Sequence, residues 1–351
     1  RRLFLGALTD RMGRTLDSGM AVRFPGPGSY TGEDCAELHC HGSPAAMGEI
    51  LSALFAAGAR QARPGEFTRR AFLNGKLELT QAEAVIDLID AQTPAAARNA
   101  AAQLDGALAR PVGQVYDALT ALASQFYAVV DYPDEDIEDL DRTKLEDTLR
   151  RADGTLTRLL DTCGRGRVLK RGVSTAIVGL PNAGKSSLLN ALAGYDRAIV
   201  TSVPGTTRDT VEESVLCGGV LLRLTDTAGI RDTDDAVERL GVERSRSAAQ
   251  QAELVLAVAD GSAPLAPEND AVFALAARCP RWVLVWSKAD LASVPRPAKA
   301  WTSPPGLSAP AAEVAVSSVT GEGLDRLEDA VRALFPAGEA PAGQILTNAR
   351  Q

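Results

Sequence analysis

Gly179-Leu180-Pro181-Asn182-Ala183-Gly184-Lys185-Ser186-Ser187 has the form G-x-x-x-x-G-K-[ST], and the reading of this stretch decides the fold. Each fixed position answers an electrostatic problem set by a nucleoside triphosphate. The glycines let backbone N–H groups curl round the phosphates, Lys185 reaches the β- and γ-oxygens, and the Ser186 hydroxyl can ligate Mg²⁺. The flanks agree. Val173-Ser174-Thr175-Ala176-Ile177-Val178 reads as a buried strand, and the run from Ser187 to Leu192 opens a helix. A glycine turn without a ligand is the plain alternative, and the strand-to-helix setting favours a phosphate loop over it.

Further elements follow in the order that a guanine-nucleotide site requires. Thr206-Thr207-Arg208-Asp209 lies about twenty residues on, in a loop opened by Pro204-Gly205. A threonine there can offer its hydroxyl to Mg²⁺ and its backbone to the γ-phosphate, so that the loop senses hydrolysis. The apolar strand Val220 to Leu224 then ends in Asp226-Thr227-Ala228-Gly229, where Asp226 suits Mg²⁺ held through water and the Gly229 N–H suits the γ-phosphate. Leu254 to Asp260 and Trp282 to Trp286 are continuous apolar runs, as parallel strands buried on both faces require. The second leads into Ser287-Lys288-Ala289-Asp290, where Asp290 can accept from guanine N1 and N2 while the Lys288 stem packs on the base. Ser317-Ser318-Val319, before Thr320-Gly321-Glu322-Gly323, suits a lid over the base. Each later element is weak alone, but five in order specify a P-loop GTPase of α/β (Ras-like) type.

Several positions depart from the usual pattern of such sites. Ser287 stands where Asn-Lys-x-Asp places asparagine, so the tie between this loop and the phosphate loop is expected to weaken, with guanine preference kept by Asp290 at lower affinity. Ser318-Val319 likewise departs from Ser-Ala-Lys/Arg. Ile230 occupies the place where a glutamine would orient the attacking water, so the catalytic group must come from elsewhere. The loop continues with acids up to Glu238, which either positions water or belongs to a solvated acidic stretch. The Asn182 side-chain carbonyl, with backbone carbonyls between Thr201 and Thr206, could hold a monovalent cation in place of an arginine finger.

Beyond the nucleotide loops, Ser29-Tyr30-Thr31-Gly32-Glu33-Asp34, Glu37-Leu38-His39-Cys40-His41-Gly42, Ala62-Arg63-Pro64-Gly65-Glu66-Phe67-Thr68 and Arg70-Ala71-Phe72-Leu73-Asn74-Gly75-Lys76-Leu77 add a further signature, as do Gly205-Thr206-Thr207-Arg208-Asp209 and Val237-Glu238-Arg239. With these the chain resembles the MnmE (TrmE) family of tRNA modification GTPases over essentially its whole length. The resemblance implies a small α+β folate-binding and dimerisation domain, then a helical domain with the P-loop GTPase domain inserted into it. The expected boundaries are 1–75, 76–171, 172–336 and, for the returning helical part, 337–351.

It also implies a K⁺-activated homodimeric GTP hydrolase. With an FAD-dependent GidA-type partner, such a protein builds a carboxymethylaminomethyl-type group on carbon 5 of the tRNA wobble uridine. K⁺ would be surrounded by Asn182, Thr201, Val203 and Thr206, Mg²⁺ would be ligated by Ser186 and Thr207, and Glu238 would be the catalytic acid. Glu37 and Lys76 match positions that contact 5-formyl-tetrahydrofolate or a related one-carbon carrier. The GTP-binding set would comprise Asn182, Ala183, Gly184, Lys185, Ser186 and Ser187; Thr201, Ser202, Val203, Pro204, Gly205, Thr206 and Thr207; Asp226, Thr227, Ala228 and Gly229; Ser287, Lys288, Ala289 and Asp290; and Ser317, Ser318 and Val319. The sequence departs from the family at both ends. It lacks the opening Gly-Arg-Gly-Gly stretch and the closing Cys-x-Gly-Lys, and so reads as a fragment. The competing reading is a GTP-switched ribosome-assembly or scaffold protein without one-carbon chemistry, which folate binding would distinguish.

Composition sets outer bounds. The 351 residues, 45% of them hydrophobic, allow two or three ordinary cores. No apolar run approaches a membrane span, and no signal-peptide pattern is visible. Five cysteines at irregular spacing make no disulfide framework, so the expected setting is a reducing cytoplasm. The net charge of −8 argues against a broadly basic nucleic-acid surface, leaving tRNA to local patches such as Arg69, Arg70 and Lys76 or to the partner.

Local patterns place the elements. Short strands with Gly/Pro turns and one helix near Ala45 to Ala57 fill the first part. Helical spacing begins at Thr80, and Thr93-Pro94 reads as an N-cap with a first-turn proline. The acid-rich run from Asp131 to Asp147 reads as a solvated loop and helix start. One helix is expected from Thr143 to Val168. Cys35, His39, Cys40 and His41 match no zinc spacing, and packing is favoured over a metal site there.

Overall fold

The computed structural model describes residues 2–132, 141–195, 213–224, 247–291, 301, 304, 306–336 and 343–348. The chain divides into two compact units, Arg1–Ile86 with Ala101–Arg110, and Asp87–Ala100 with Pro111–Gln351.

The first unit begins with an antiparallel meander of β1 (Leu3–Thr9), β2 (Thr15–Phe24) and β3 (Cys35–His39). Asp10 closes the β1–β2 turn, its carboxylate accepting from the Met12 and Arg14 backbone N–H groups at 2.9 Å each. Helix α1 (Pro44–Ala56) starts with Ser43 as N-cap and proline in the first turn. Helix α2 (Glu66–Leu73) follows. The chain leaving α2 is tied to the loop between β2 and β3. There the Asn74 amide donates to Thr31 O at 2.8 Å, and Lys76 Nζ donates to Pro27 O at 3.0 Å.

Helices α3 (Leu79–Ile89), α4 (Pro94–Leu104) and α5 (Ala109–Asp131) come next, and α4 starts as its sequence predicts, with Thr93 Oγ1 accepting from Ala96 N at 3.0 Å.

The expected single helix from Thr143 to Val168 is instead two, α6 (Arg142–Leu160) and α7 (Cys163–Arg171). A tertiary contact breaks it. The segment 343–348 returns to this corner, where the buried Thr162 hydroxyl donates to Leu159 O at 2.6 Å and accepts from Leu346 N at 3.0 Å. Gly166 lets the returning backbone pass, since a Cβ there would lie 1.7 Å from Leu346 O. The Asn99 side chain accepts from Gly343 N and donates to Ile345 O, and Asp87 accepts from Thr347 Oγ1 and pairs with Lys170 Nζ, both at 2.7 Å. Residues before and after the central α/β region therefore share one packed corner of the second unit.

That region is a six-stranded sheet in the order β5-β6-β4-β7-β8-β9. It consists of β4 (Val173–Gly179), β5 (Glu213–Cys217), β6 (Val220–Leu224), β7 (Leu254–Asp260), β8 (Trp282–Ser287) and β9 (Ala312–Ala315), with only β5 antiparallel. Along β7, Leu254, Leu256 and Val258 point to one face and Val255, Ala257 and Ala259 to the other, and all are fully buried. The first face packs on α8 (Lys185–Tyr195) and α10 (Leu324–Leu334) through Leu188, Leu189, Leu192, Leu327 and Val331. The second packs on α9 (Asn269–Ala276) through Phe273, with Trp282 and Trp301 beside it. Burial on both faces is why these strands read as continuous apolar runs. Among the described residues no helix is long and apolar enough to cross a membrane.

Candidate nucleotide site

The carboxyl ends of β4, β7 and β8 meet where the strand order reverses, which is where open parallel sheets bind ligands. Residues 180–184 turn from β4 into α8 and bring the first turn of that helix to this edge. Helix N-termini present unsatisfied N–H groups and favour anions. Asn182 and Gly184 adopt positive φ, 58° and 94°, which curls the loop. A Cβ on Gly184 would lie 3.1 Å from both Cβ and Oγ of Ser287. Lys185 Nζ donates to the carbonyls of Gly179 at 2.9 Å and Leu180 at 2.8 Å, so the ammonium is folded into the loop. Burial pulls its pKa below the ordinary lysine value. Ser186 sits half-buried in the first turn of α8, while Asn182 and Ser187 are exposed.

The Ser287–Asp290 loop, expected to read the base, lies beside it. Ser287 ends β8 and is buried, and its hydroxyl donates to Ala183 O in the phosphate loop at 2.5 Å, with Ala259 O at 3.2 Å. The expected weakening of the tie is therefore not a missing contact, because the shorter serine reaches the loop carbonyl directly. Lys288 holds φ 53°, and its Nζ contacts Asp260 Oδ2 at 2.5 Å. Asp290 is exposed in the short 3₁₀ turn Ala289–Leu291. Ala289 N donates to Val316 O at 3.2 Å, which brings the Ser317-Ser318-Val319 segment alongside. Ser317 is fully buried, its hydroxyl accepting from Val319 N and Thr320 N, whereas Val319 is 86% exposed. One edge thus carries a curled loop at a helix N-terminus, an exposed carboxylate and an exposed apolar side chain.

Thr201, Ser202, Val203, Pro204, Gly205, Thr206, Thr207, Asp226, Thr227, Ala228, Gly229 and Glu238 lie outside the described residues. Of the folate candidates, Glu37 is exposed on β3 with its carboxylate 3.4 Å from His39 Nε2, and Lys76 is held by Pro27 O. His41 Nδ1 lies 2.8 Å from Asp17 Oδ1, so each histidine has a carboxylate neighbour. Reading motifs alone missed Asp260. Its signal was an acid closing an otherwise apolar strand, followed by Gly261-Ser262.

Residues 1–76 match the family described as the GTP-binding protein TrmE N-terminus, and residues 79–351 match the MnmE helical domain. The tRNA modification GTPase MnmE of Akkermansia muciniphila is 43% identical, over 100% of this chain and 75% of the relative. The same-named protein of Xanthomonas campestris pv. campestris is 45% identical, over 93% of this chain and 70% of the relative. A solved structure of Aquifex aeolicus Era bound to GDP·AlF4⁻ is 27% identical over 47% of this chain and 57% of its own, with a TM-score of 0.34. The family matches and the high identity over most of both chains agree, and the chain belongs to the MnmE family of tRNA modification GTPases.

Proposed function

We propose that the chain is the GTP-hydrolysing component of a tRNA wobble-uridine modification system, activated by K⁺ and working as a homodimer with an FAD-dependent GidA-type partner. The observation that carries the nucleotide part is the joining of the phosphate loop to the base-reading loop by the Ser287–Ala183 bond. It sets Lys185 and Asp290 at one sheet edge, the two ends that a nucleoside triphosphate presents. Family membership carries the tRNA part. The domain limits proposed are 1–75, 76–171, 172–336 and 337–351.

In this reading, Lys185 turns from the loop carbonyls to the β- and γ-phosphate oxygens, and backbone N–H groups at the start of α8 cradle the phosphates. Ser186, with Thr207, would hold Mg²⁺, and the place of Ser186 in the first turn of α8 fits that donor role. Asn182, with Thr201, Val203 and Thr206, would hold K⁺, and its exposed position on the curled loop leaves its side-chain oxygen accessible. Both ions supply positive charge to the developing transition state. Glu238 positions the attacking water in place of the glutamine that Ile230 replaces. Glu37 and Lys76 would face a one-carbon tetrahydrofolate, an exposed carboxylate suiting the N–H donors of a pterin. The five cysteines, all free, fit a reducing cytoplasmic setting.

GTP turnover in KCl against NaCl, with Glu238→Ala as the companion variant, tests the catalytic assignment. The expected result is fast turnover in K⁺ only, abolished in the variant. Equal rates in the two salts would remove the cation, and an unimpaired variant would remove Glu238. Calorimetry with 5-formyl-tetrahydrofolate tests the first domain, and no binding would favour the scaffold reading.

A further inference from the structure

Asp260 has no part in the motif set, yet it lies at the centre of the contacts that shape the base-reading loop. β7 and β8 run parallel with Asp260 opposite Ser287, so the residue after Ser287 leaves the sheet beside the Asp260 carboxylate. One oxygen, Oδ2, meets Lys288 Nζ at 2.5 Å. The other, Oδ1, accepts from Ser262 N at 2.9 Å and Ser262 Oγ at 2.6 Å, which fixes the plane of the carboxylate. A further bond, Gly261 N to Ser287 O at 2.9 Å, clamps the two strand ends together. Lys288 is at the same time held in the left-handed region, at φ 53°, a conformation that costs energy for a lysine and needs surrounding contacts to persist. The pair is about one-third exposed on the lysine side, so it is not a desolvated core bridge kept for packing. It stands two residues before Asp290.

Resting on the guanine-nucleotide reading of this edge, we propose that Asp260, braced by Ser262, is a positioning residue for nucleotide recognition: it draws back the Lys288 ammonium so that the lysine stem lies as a wall of the base slot and Asp290 projects into it. Charge-assisted hydrogen bonds of this kind are stronger than neutral ones and directional. Losing the carboxylate would free a four-carbon side chain on a strained backbone next to the residue that reads the base. The cost would fall on nucleotide affinity and off-rate, not on the chemical step.

The test compares wild type with Asp260→Asn, Asp260→Glu and Lys288→Met in the full chain, reading the GDP off-rate, KM and kcat for GTP, and the melting temperature. Asp260→Asn should release GDP roughly tenfold faster and raise KM in proportion, with kcat little affected and Asp260→Glu recovering part of the loss. Lys288→Met should reproduce the effect, and the double variant should be no worse than the worse single one, because both remove one interaction. Ser262→Ala, which only loosens the carboxylate, should move the off-rate in the same direction by less, and keeps the test open should Asp260→Asn fold poorly. An unchanged off-rate in Asp260→Asn, or additive losses in the double variant, would overturn the inference while leaving the site reading intact. Failure of the wild-type chain to bind GDP would remove the site reading and this inference with it.

Discussion

The Ser287 hydroxyl donates to the Ala183 carbonyl at 2.5 Å across 104 positions of sequence, joining the loop proposed to read the base to the loop proposed to hold the phosphates. A hydroxyl has one proton to give, and this one is spent inside the protein. In the proposed site base recognition then falls to Asp290, and Ser287 acts as a rivet between two loops that would otherwise be set independently. Ser287→Ala removes the rivet and leaves the Ala183 carbonyl without that donor. The expected loss is about 1 kcal/mol, roughly fivefold in Kd for GDP and GTP alike. Titration with a fluorescent guanine nucleotide measures it, and equal Kd values would show that the bond has no role in binding.

Gly184 is the other half of that relationship. Its φ of +94° excludes an ordinary side chain, and a methyl group would press on Ser287 at 3.1 Å. Gly184→Ala therefore either strains the loop or pushes Ser287 off Ala183, at a cost of about 1–3 kcal/mol to the loop conformation. Because the strain is local, far-UV circular dichroism should match wild type while nucleotide binding drops more than Ser287→Ala alone would cause. Unaltered GDP affinity in Gly184→Ala would contradict this.

The phosphate loop and the buried strands were legible because their chemistry is local. Five glycine, lysine and serine positions within nine residues, and strands buried on both faces, leave direct marks on the sequence. What escaped was set by contacts distant in the chain. The break between α6 and α7 is dictated by Leu346 and Gln344 arriving at Thr162, so helical periodicity through Asp161 and Thr162 gave no warning. Asp260 escaped for a similar reason, since its partner Lys288 is 28 residues away. Counting hydrogen-bonding groups at position 287 leaves reach out of account, and the serine hydroxyl reaches the Ala183 carbonyl.

Thr162 carries the next prediction. Its hydroxyl contacts Leu159 O, Gln344 O and Leu346 N at 2.6, 3.3 and 3.0 Å, so one buried group serves both the helix break and the returning segment. Thr162→Val keeps the shape and removes the polar atom, leaving Leu346 N without that acceptor. Urea denaturation should show a loss of about 1–3 kcal/mol, and Thr162→Ser should restore most of it. A valine variant as stable as wild type would mean that water serves the freed groups equally well.

Glu66 gives the first unit a pH signature. The Arg60 guanidinium grips its carboxylate with both arms, at 2.6 and 2.9 Å, and Arg63 N donates to it at 2.9 Å. These contacts, Arg60 foremost, hold the Glu66 pKa down from 4.5 to about 2. A carboxyl whose folded pKa is depressed contributes stability that is complete above its unfolded value and is lost as pH falls through the folded one. The contribution is therefore full above 4.5 and fades between there and about 2. Glu66 is half-buried but its Arg60 partner is exposed, so the effect is modest and salt-sensitive. Glu66→Gln should lower the melting temperature near neutral pH, and the gap from wild type should close as the buffer is acidified through that window. A gap independent of pH would assign the role of Glu66 to packing or helix capping and not to its charge.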